Sequence, residues 1–426
     1  QLARVYDSAG REYLDCLACA GALPLGHNHP FIQERVAAWL GSGEVQQALD
    51  IATPARLAFI EALYRVLPAG FAEHAKVQFC GPTGSDAVEA ALKLFKTATG
   101  RRCVLAFHGA YHGMTMGSLG LMGNLAPKVA VSGYPAEIQF LPFPYTYRSP
   151  FGTDAAETER LSLAYIENLL SDPESGVGRP AMLLVEPIQG EGGCIPASAE
   201  WLRGLREITA RHDVPLVMDE VQTGFGRSGD MFAHEYAGIT PDAIIMSKAV
   251  GGGYPLALVA YHEKYDHWSP GAHAGTFRGN QIALVSGAAA LEYLRRPGVL
   301  EAVRAVGQRL RQRLQALQLR FSCIGEVRGR GLMLGIELVD PDGVRTTLGH
   351  LPANDTLARA LKRACLEHGL IIESGGRHGA VIRLLPPLII TAADADAIVQ
   401  RFETALASLW PATPTGRAHP GSEITT

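Results

Sequence analysis

Between residues 76 and 261 the chain alternates short apolar runs with amphipathic ones, and few folds accommodate that rhythm. The runs KVQFC (76–80), CVLAF (103–107), IQFLP (138–142), AMLLVEPI (181–188), PLVMDEV (215–221), DAIIMS (242–247) and LALVAY (256–261) have strand length. Strands this apolar are buried on both faces, which calls for a mainly parallel sheet with helices on each side. Helical runs lie between several of them, at 85–100, 158–172 and 198–212. The expected class is α/β, with a mainly parallel seven-stranded sheet.

The rhythm then changes. Residues 278–320 read as helix with a break at Pro297. Strand-like GLMLGIELV (331–339), GLIIES (369–374) and AVIRLLPPL (380–388) follow, with helices near 353–368 and 392–409. A chain of 426 residues is long for one core, so two lobes are expected. Residues 46–295 form the large domain and 296–410 a smaller α+β domain, with 1–45 packed against it and 411–426 a flexible tail.

Bulk properties exclude more than they select. With 47% hydrophobic and 19% charged residues the chain is an ordinary soluble protein. A net charge of −4 offers no field for nucleic acid or an anionic membrane, and no apolar run approaches the roughly 20 residues needed to span one. The seven cysteines are scattered, and Cys16-x-x-Cys19 has no second pair, so they read as reduced thiols of a cytoplasmic protein. No signal-like segment opens the chain at Gln1, although a start without Met leaves room for upstream residues. His27 with His29 and His108 with His112 have metal-like spacing but no carboxylate or thiol cluster beside them, so no metal is expected.

In an open parallel sheet, ligands gather beyond the carboxyl ends of the strands. Three such ends carry chemistry. FCGPTGSDAVEA joins a strand to a helix through Gly81, Gly84 and Ser85, a cradle for one anion; it contains neither a G-K-[ST] nor a G-x-G-x-x-G sequence. VMDEVQ ends its strand on Asp219, one crossover before Lys248 in IIMSKAVGGG. Lys248 is one of only seven lysines and stands between an apolar strand and three glycines. A lysine to form an imine, an acid to hold a proton on a ring nitrogen and a cradle for one phosphate match the needs of pyridoxal phosphate. Tyr111, after another strand, can stack on its ring.

The segments GHNHP, TGSDAVEAALK, YHG, VEPIQGEGG, MDEVQTGFGR, SKAVGGGYP, GTFRGNQ, RGRGLMLGIEL and IRLLPPL, in that order over residues 26–388, resemble the motifs of class III (omega-amino acid) aminotransferases. That resemblance implies a fold-type I homodimer, or a dimer of dimers, that uses pyridoxal phosphate. It implies Lys248 as the imine lysine, Asp219 as partner of the ring nitrogen and Gln222 as partner of the ring hydroxyl. Val221 then packs under the ring and Tyr111 over it, with His112 among the cofactor-binding residues. Gly84 and Ser85 hold the phosphate together with Thr276 of the other subunit, and Glu186 supports the hydroxyl side. Glu191 and Arg383 match a gating glutamate and the arginine that binds the α-carboxylate of the oxo-acid.

Within the family, QFCGPTGSDAVEAALKLFKTATGR, PFPYTYRSPFG and PGAHAGTFRGNQ are similar to diaminobutyrate–2-oxoglutarate aminotransferases. The implied reaction moves the distal amino group of L-2,4-diaminobutyrate to 2-oxoglutarate, reversibly, giving aspartate 4-semialdehyde and glutamate. Where several relatives carry an arginine for a distal carboxylate after YHG, this chain has Met114. A transaminase for acetylornithine, ornithine, 4-aminobutyrate or β-alanine shares the same cofactor motifs, and a class III isomerase or racemase remains the other alternative.

Overall fold

In the computed structural model, which describes residues 2–129, 131, 133 and 137–412, each of the seven apolar runs contains a strand. Two short strands, β1 (Arg4–Tyr6) and β2 (Glu12–Asp15), come first. Then follow β3 (Ala75–Phe79), β4 (Val104–Phe107), β5 (Ile138–Leu141) and β6 (Met182–Val185). A small hairpin, β7 (Ile188–Gln189) and β8 (Ile195–Pro196), precedes β9 (Leu216–Asp219), β10 (Ala243–Met246) and β11 (Leu258–His262). The large sheet has the order β3-β11-β10-β9-β6-β4-β5. Its neighbours are parallel except that β11 runs antiparallel to both β10 and β3.

Side chains divide cleanly between the two faces, as the strand period of two requires. On β6, Leu183 and Val185 join a core with Phe107, Trp201 and Leu202. Met182 and Leu184 join the opposite core with Val88 and Phe95. Full burial of each such side chain contributes roughly 1.5–3 kcal/mol, so both faces need a helical cover. The helix Gly84–Thr99 supplies one: Thr83 and Asp86 form a capping box at its start, and Gly100 ends it at φ +67°.

Two expected strands are divided in the structure. The run 181–188 gives β6 only up to Val185; Pro187 has no N–H to donate to a ladder, and Ile188 opens the separate hairpin. The run 369–374 splits into β14 (Leu370–Ile371), parallel to β2, and β15 (Glu373–Gly375). β15 completes a second sheet, ordered β12-β13-β16-β15, with β12 (Ile324–Arg330), β13 (Met333–Leu338) and β16 (Val381–Leu384). The long helical region breaks between Gln281–Leu294 and Val299–Gln318, next to Pro297 and with Gly298 at φ +86°. Residues 413–426, most of the segment expected to be a flexible tail, lie outside the described residues. No helix among the described residues is long and apolar enough to cross a membrane.

Candidate active site

β9 and β10 run parallel with Asp219 opposite Ile245, so the chain leaves both strands at the same end of the sheet. Lys248 comes three residues after Ile245 and opens the 3-10 turn Lys248–Gly251. Its φ of +51° is left-handed, where a β-carbon crowds the backbone. The turn closes on Gly252, where a β-carbon would lie 2.6 Å from the Ser286 carbonyl oxygen. The Lys248 amine has no hydrogen bond or ion pair among the described residues. Burial lowers its pKa, opposed by the charges of Glu191 and Asp219. An amine nearer its neutral form is a better nucleophile.

Asp219 is held on both oxygens. Oδ1 accepts from the Val221 N–H at 3.0 Å, and Oδ2 accepts from His112 Nδ1 at 2.7 Å. Both side chains are shut away from solvent. The other ring nitrogen of His112 is buried without a hydrogen-bond partner among the described residues.

The first turn of the helix Gly84–Thr99 points its free N–H groups into the same space. The Ser85 hydroxyl accepts from the Met114 N–H at 3.2 Å. Gly113, at φ +120°, passes so close that a β-carbon there would lie 2.0 Å from Ser85 Oγ. On another wall, Gln222 Nε2 donates to the Ala20 carbonyl at 3.2 Å, while its Oε1 is buried with no partner among the described residues.

At the end of β6, Glu186 accepts from the Tyr111 N–H at 3.0 Å and from the Gly190 N–H at 2.9 Å. Burial pushes its pKa up to about 7. Glu191 sits at the tip of the β7–β8 hairpin, and Arg383 on the inner strand β16. Arg383 donates to both Glu191 oxygens, at 2.8 Å each. The Arg383 side chain is 3% exposed and that of Glu191 33% exposed, so the glutamate is the half of the pair that meets the cavity.

Of the site residues expected from sequence, all but Gly81, Arg383 and Thr276 line a single cleft. Arg383 lies behind Glu191. Thr276 is exposed at the start of the turn Thr276–Gly279, outside the cleft of its own chain. No cluster of histidine, cysteine and acidic side chains among the described residues has the form of a metal site. Lys128 lies in a turn, where it is 5% exposed and donates to the Gly120 carbonyl at 2.9 Å.

Two features were not legible in the sequence. One is the bond from His112 to Asp219, since a YHG sequence does not say where the imidazole points. The other is a second cavity beyond Tyr111 and Glu191, walled by Met114 and by Arg377 of the run GGRHG. The glycines around that arginine were the available signal.

The sequence profile described as aminotransferase class-III matches residues 2–406. A protein of Rhizobium meliloti (strain 1021), named diaminobutyrate–2-oxoglutarate aminotransferase, is 51% identical over 394 residues, 92% of this chain and 84% of that protein. A protein of the same name from Haemophilus influenzae is 45% identical, over 94% of this chain and 87% of its own length. The crystal structure of an amine transaminase from an uncultivated Pseudomonas species, in its PLP-bound form, superposes with a TM-score of 0.85 at 28% identity, covering 96% of this chain and 93% of that one.

Proposed function

Because this chain belongs to the class-III aminotransferases, which use pyridoxal phosphate, we propose that it moves the distal amino group of L-2,4-diaminobutyrate to 2-oxoglutarate. The products are aspartate 4-semialdehyde and glutamate, and the reaction runs both ways. Names carried by the relatives support the substrate pair. The observation that carries the reading in this chain is the bidentate pairing of Glu191, on the wall of the cleft, with Arg383 behind it.

The lining suits the cofactor. Gln222 offers a buried acceptor with no partner among the described residues, as a ring hydroxyl requires, and Gly84 leaves room beside Val221, where a β-carbon would come within 3.0 Å of that side chain. When bound, pyridoxal phosphate supplies a carbonyl that condenses with amines and a ring that takes up the electron pair left on deprotonation. The residues do the rest. Lys248 removes the proton from the substrate carbon bearing nitrogen and returns it elsewhere. Asp219, held by His112 and the Val221 N–H, keeps a proton on the ring nitrogen through its charge. Gly84, Ser85 and the helix N-terminus hold the phosphate. Val221 and Tyr111 would pack against the two ring faces, and Glu186 fixes the backbone of Tyr111 and Gly190.

Glu191 and Arg383 resolve a conflict between two substrates. Diaminobutyrate must present a carbon with no carboxylate on it, and 2-oxoglutarate one that has a carboxylate attached. Paired, the two side chains offer the distal amine a neutral wall; with Glu191 swung aside, Arg383 grips the oxo-acid in a bidentate contact. Because Arg383 belongs to an inner strand and Glu191 to a hairpin tip, the glutamate is the half that moves. We place this enzyme in the cytoplasm as a homodimer, with Thr276 reaching the phosphate of a second copy.

A panel of amine donors against 2-oxoglutarate and pyruvate tests the reading. Diaminobutyrate with 2-oxoglutarate should give the highest kcat/KM, with glutamate formed in equal amount. Turnover of an amine without any acceptor would point to an isomerase or racemase, and a better donor would point to another ω-amine.

A further inference from the structure

The second cavity shares Tyr111 and Glu191 with the cofactor cleft, so the two adjoin. Its volume of about 700 Å³ lies within the roughly 300–1,000 Å³ usual for small-ligand sites. Among the described residues lining the two cavities, Arg377 is the single arginine. Its Nη2 donates to the His108 carbonyl at 2.7 Å, and it forms no ion pair among the described residues. A guanidinium has five N–H donors, so most of its capacity is unspent.

The arginine is built into place. Gly109 has φ +76°, and a β-carbon there would lie 2.2 Å from Arg377 Cζ, so the backbone is laid flat against the guanidinium. Gly376 donates its N–H to the Glu191 carbonyl at 3.1 Å, tying the segment to the hairpin that carries the gate. The same segment joins β15 to β16, where Glu373 pairs in register with Arg383. Burial lowers the Arg377 pKa, opposed in part by the charges of Tyr145, Glu337 and Glu186. Met114, 55% exposed on the same cavity wall, brings no charge.

A five-carbon oxo-diacid carries two carboxylates. If Arg383 grips the one beside the reacting carbon, the other must find a donor, because an unpaired carboxylate at a desolvated site is costly. We propose that Arg377 binds the distal carboxylate of 2-oxoglutarate and glutamate, and so sets the preference for a dicarboxylic acceptor. The assignment rests on the substrate reading above.

The test compares 2-oxoglutarate with 2-oxopentanoate, the same chain length without the distal carboxylate, as acceptors for the amine-loaded holoenzyme. The wild type should favour 2-oxoglutarate strongly. In Arg377→Met the ratio of the two kcat/KM values should fall by at least ~10-fold, the scale of a lost charge-assisted hydrogen bond, with most of the loss in KM for 2-oxoglutarate. Arg377→Lys should fall between. Adding Met114→Arg to Arg377→Met should recover part of the preference, which a purely structural arginine would not allow. An unchanged ratio in a folded Arg377→Met or Arg377→Lys holoenzyme overturns the role of Arg377 alone. A wild type that does not use 2-oxoglutarate overturns the substrate reading together with it.

Discussion

His112 donates from Nδ1 to Asp219 Oδ2 across 2.7 Å, with neither side chain open to water. On the proposed reading this pair, rather than the acid alone, would be the unit at the ring nitrogen. Asp219→Asn keeps the shape and loses the charge. It should still bind pyridoxal phosphate, while turnover falls by at least ~100-fold, the scale of losing a strong electrostatic contact. Steady-state rates beside the visible spectrum check this; a loss under threefold would leave the acid a merely structural part.

Lys248 should carry the cofactor. Lys248→Ala is expected to lose the visible absorbance of the lysine-bound cofactor and turnover together. An active Lys248→Ala protein would refute the assignment.

Each half of the gate should fail in its own half-reaction. Glu191→Ala should slow the reaction with the distal amine and spare that with glutamate, letting α-amines react. Arg383→Ala should do the reverse, and its KM for 2-oxoglutarate should rise most. Single-turnover measurements separate the halves, and equal losses in both for either variant count against the gate.

Glu186 should leave a pH signature on the cofactor-free protein. Its folded pKa of about 7 lies above the ordinary 4.5, so between those values the folded state holds a proton that the unfolded state has released. Stability is therefore full below pH 4.5 and falls as pH rises through 7, by at most roughly 3 kcal/mol. Glu186→Gln should flatten that slope in thermal melts taken from pH 5 to 8. A slope identical to that of the wild type would show that another group titrates.

Thr276 should matter only in the assembled protein. Thr276→Ala is expected to weaken cofactor binding, and dilution of the wild type below its association range should do the same. A monomer fully active in the ultracentrifuge would rule out the shared phosphate site.

Most of the sheet was legible because its strands are apolar on both faces, and burial on both sides leaves few alternatives. The cleft was legible where chemistry and chain geometry coincide: Asp219 and Lys248 stand at strand ends, and Gly84 and Ser85 at a helix start. The unread parts depend on long-range packing. Nothing local to YHG aims His112 at Asp219, residues 107 positions apart. Arg377 gains its meaning from Gly109, which is distant in the chain and adjacent only after the hairpin and β16 have docked. The division of 181–188 was in reach, since Pro187 marks it.

The left-handed backbone at Lys248 carries a cost in stability. A residue other than glycine at such a φ costs of order 1 kcal/mol or more, and placing an amine in a partly dry cleft adds to that. Glycine at position 248 would relieve both, so the inactive protein should melt at a higher temperature than the active one. On the proposed reading, lysine at position 248 is a cost in stability carried for the amine it places in the cleft.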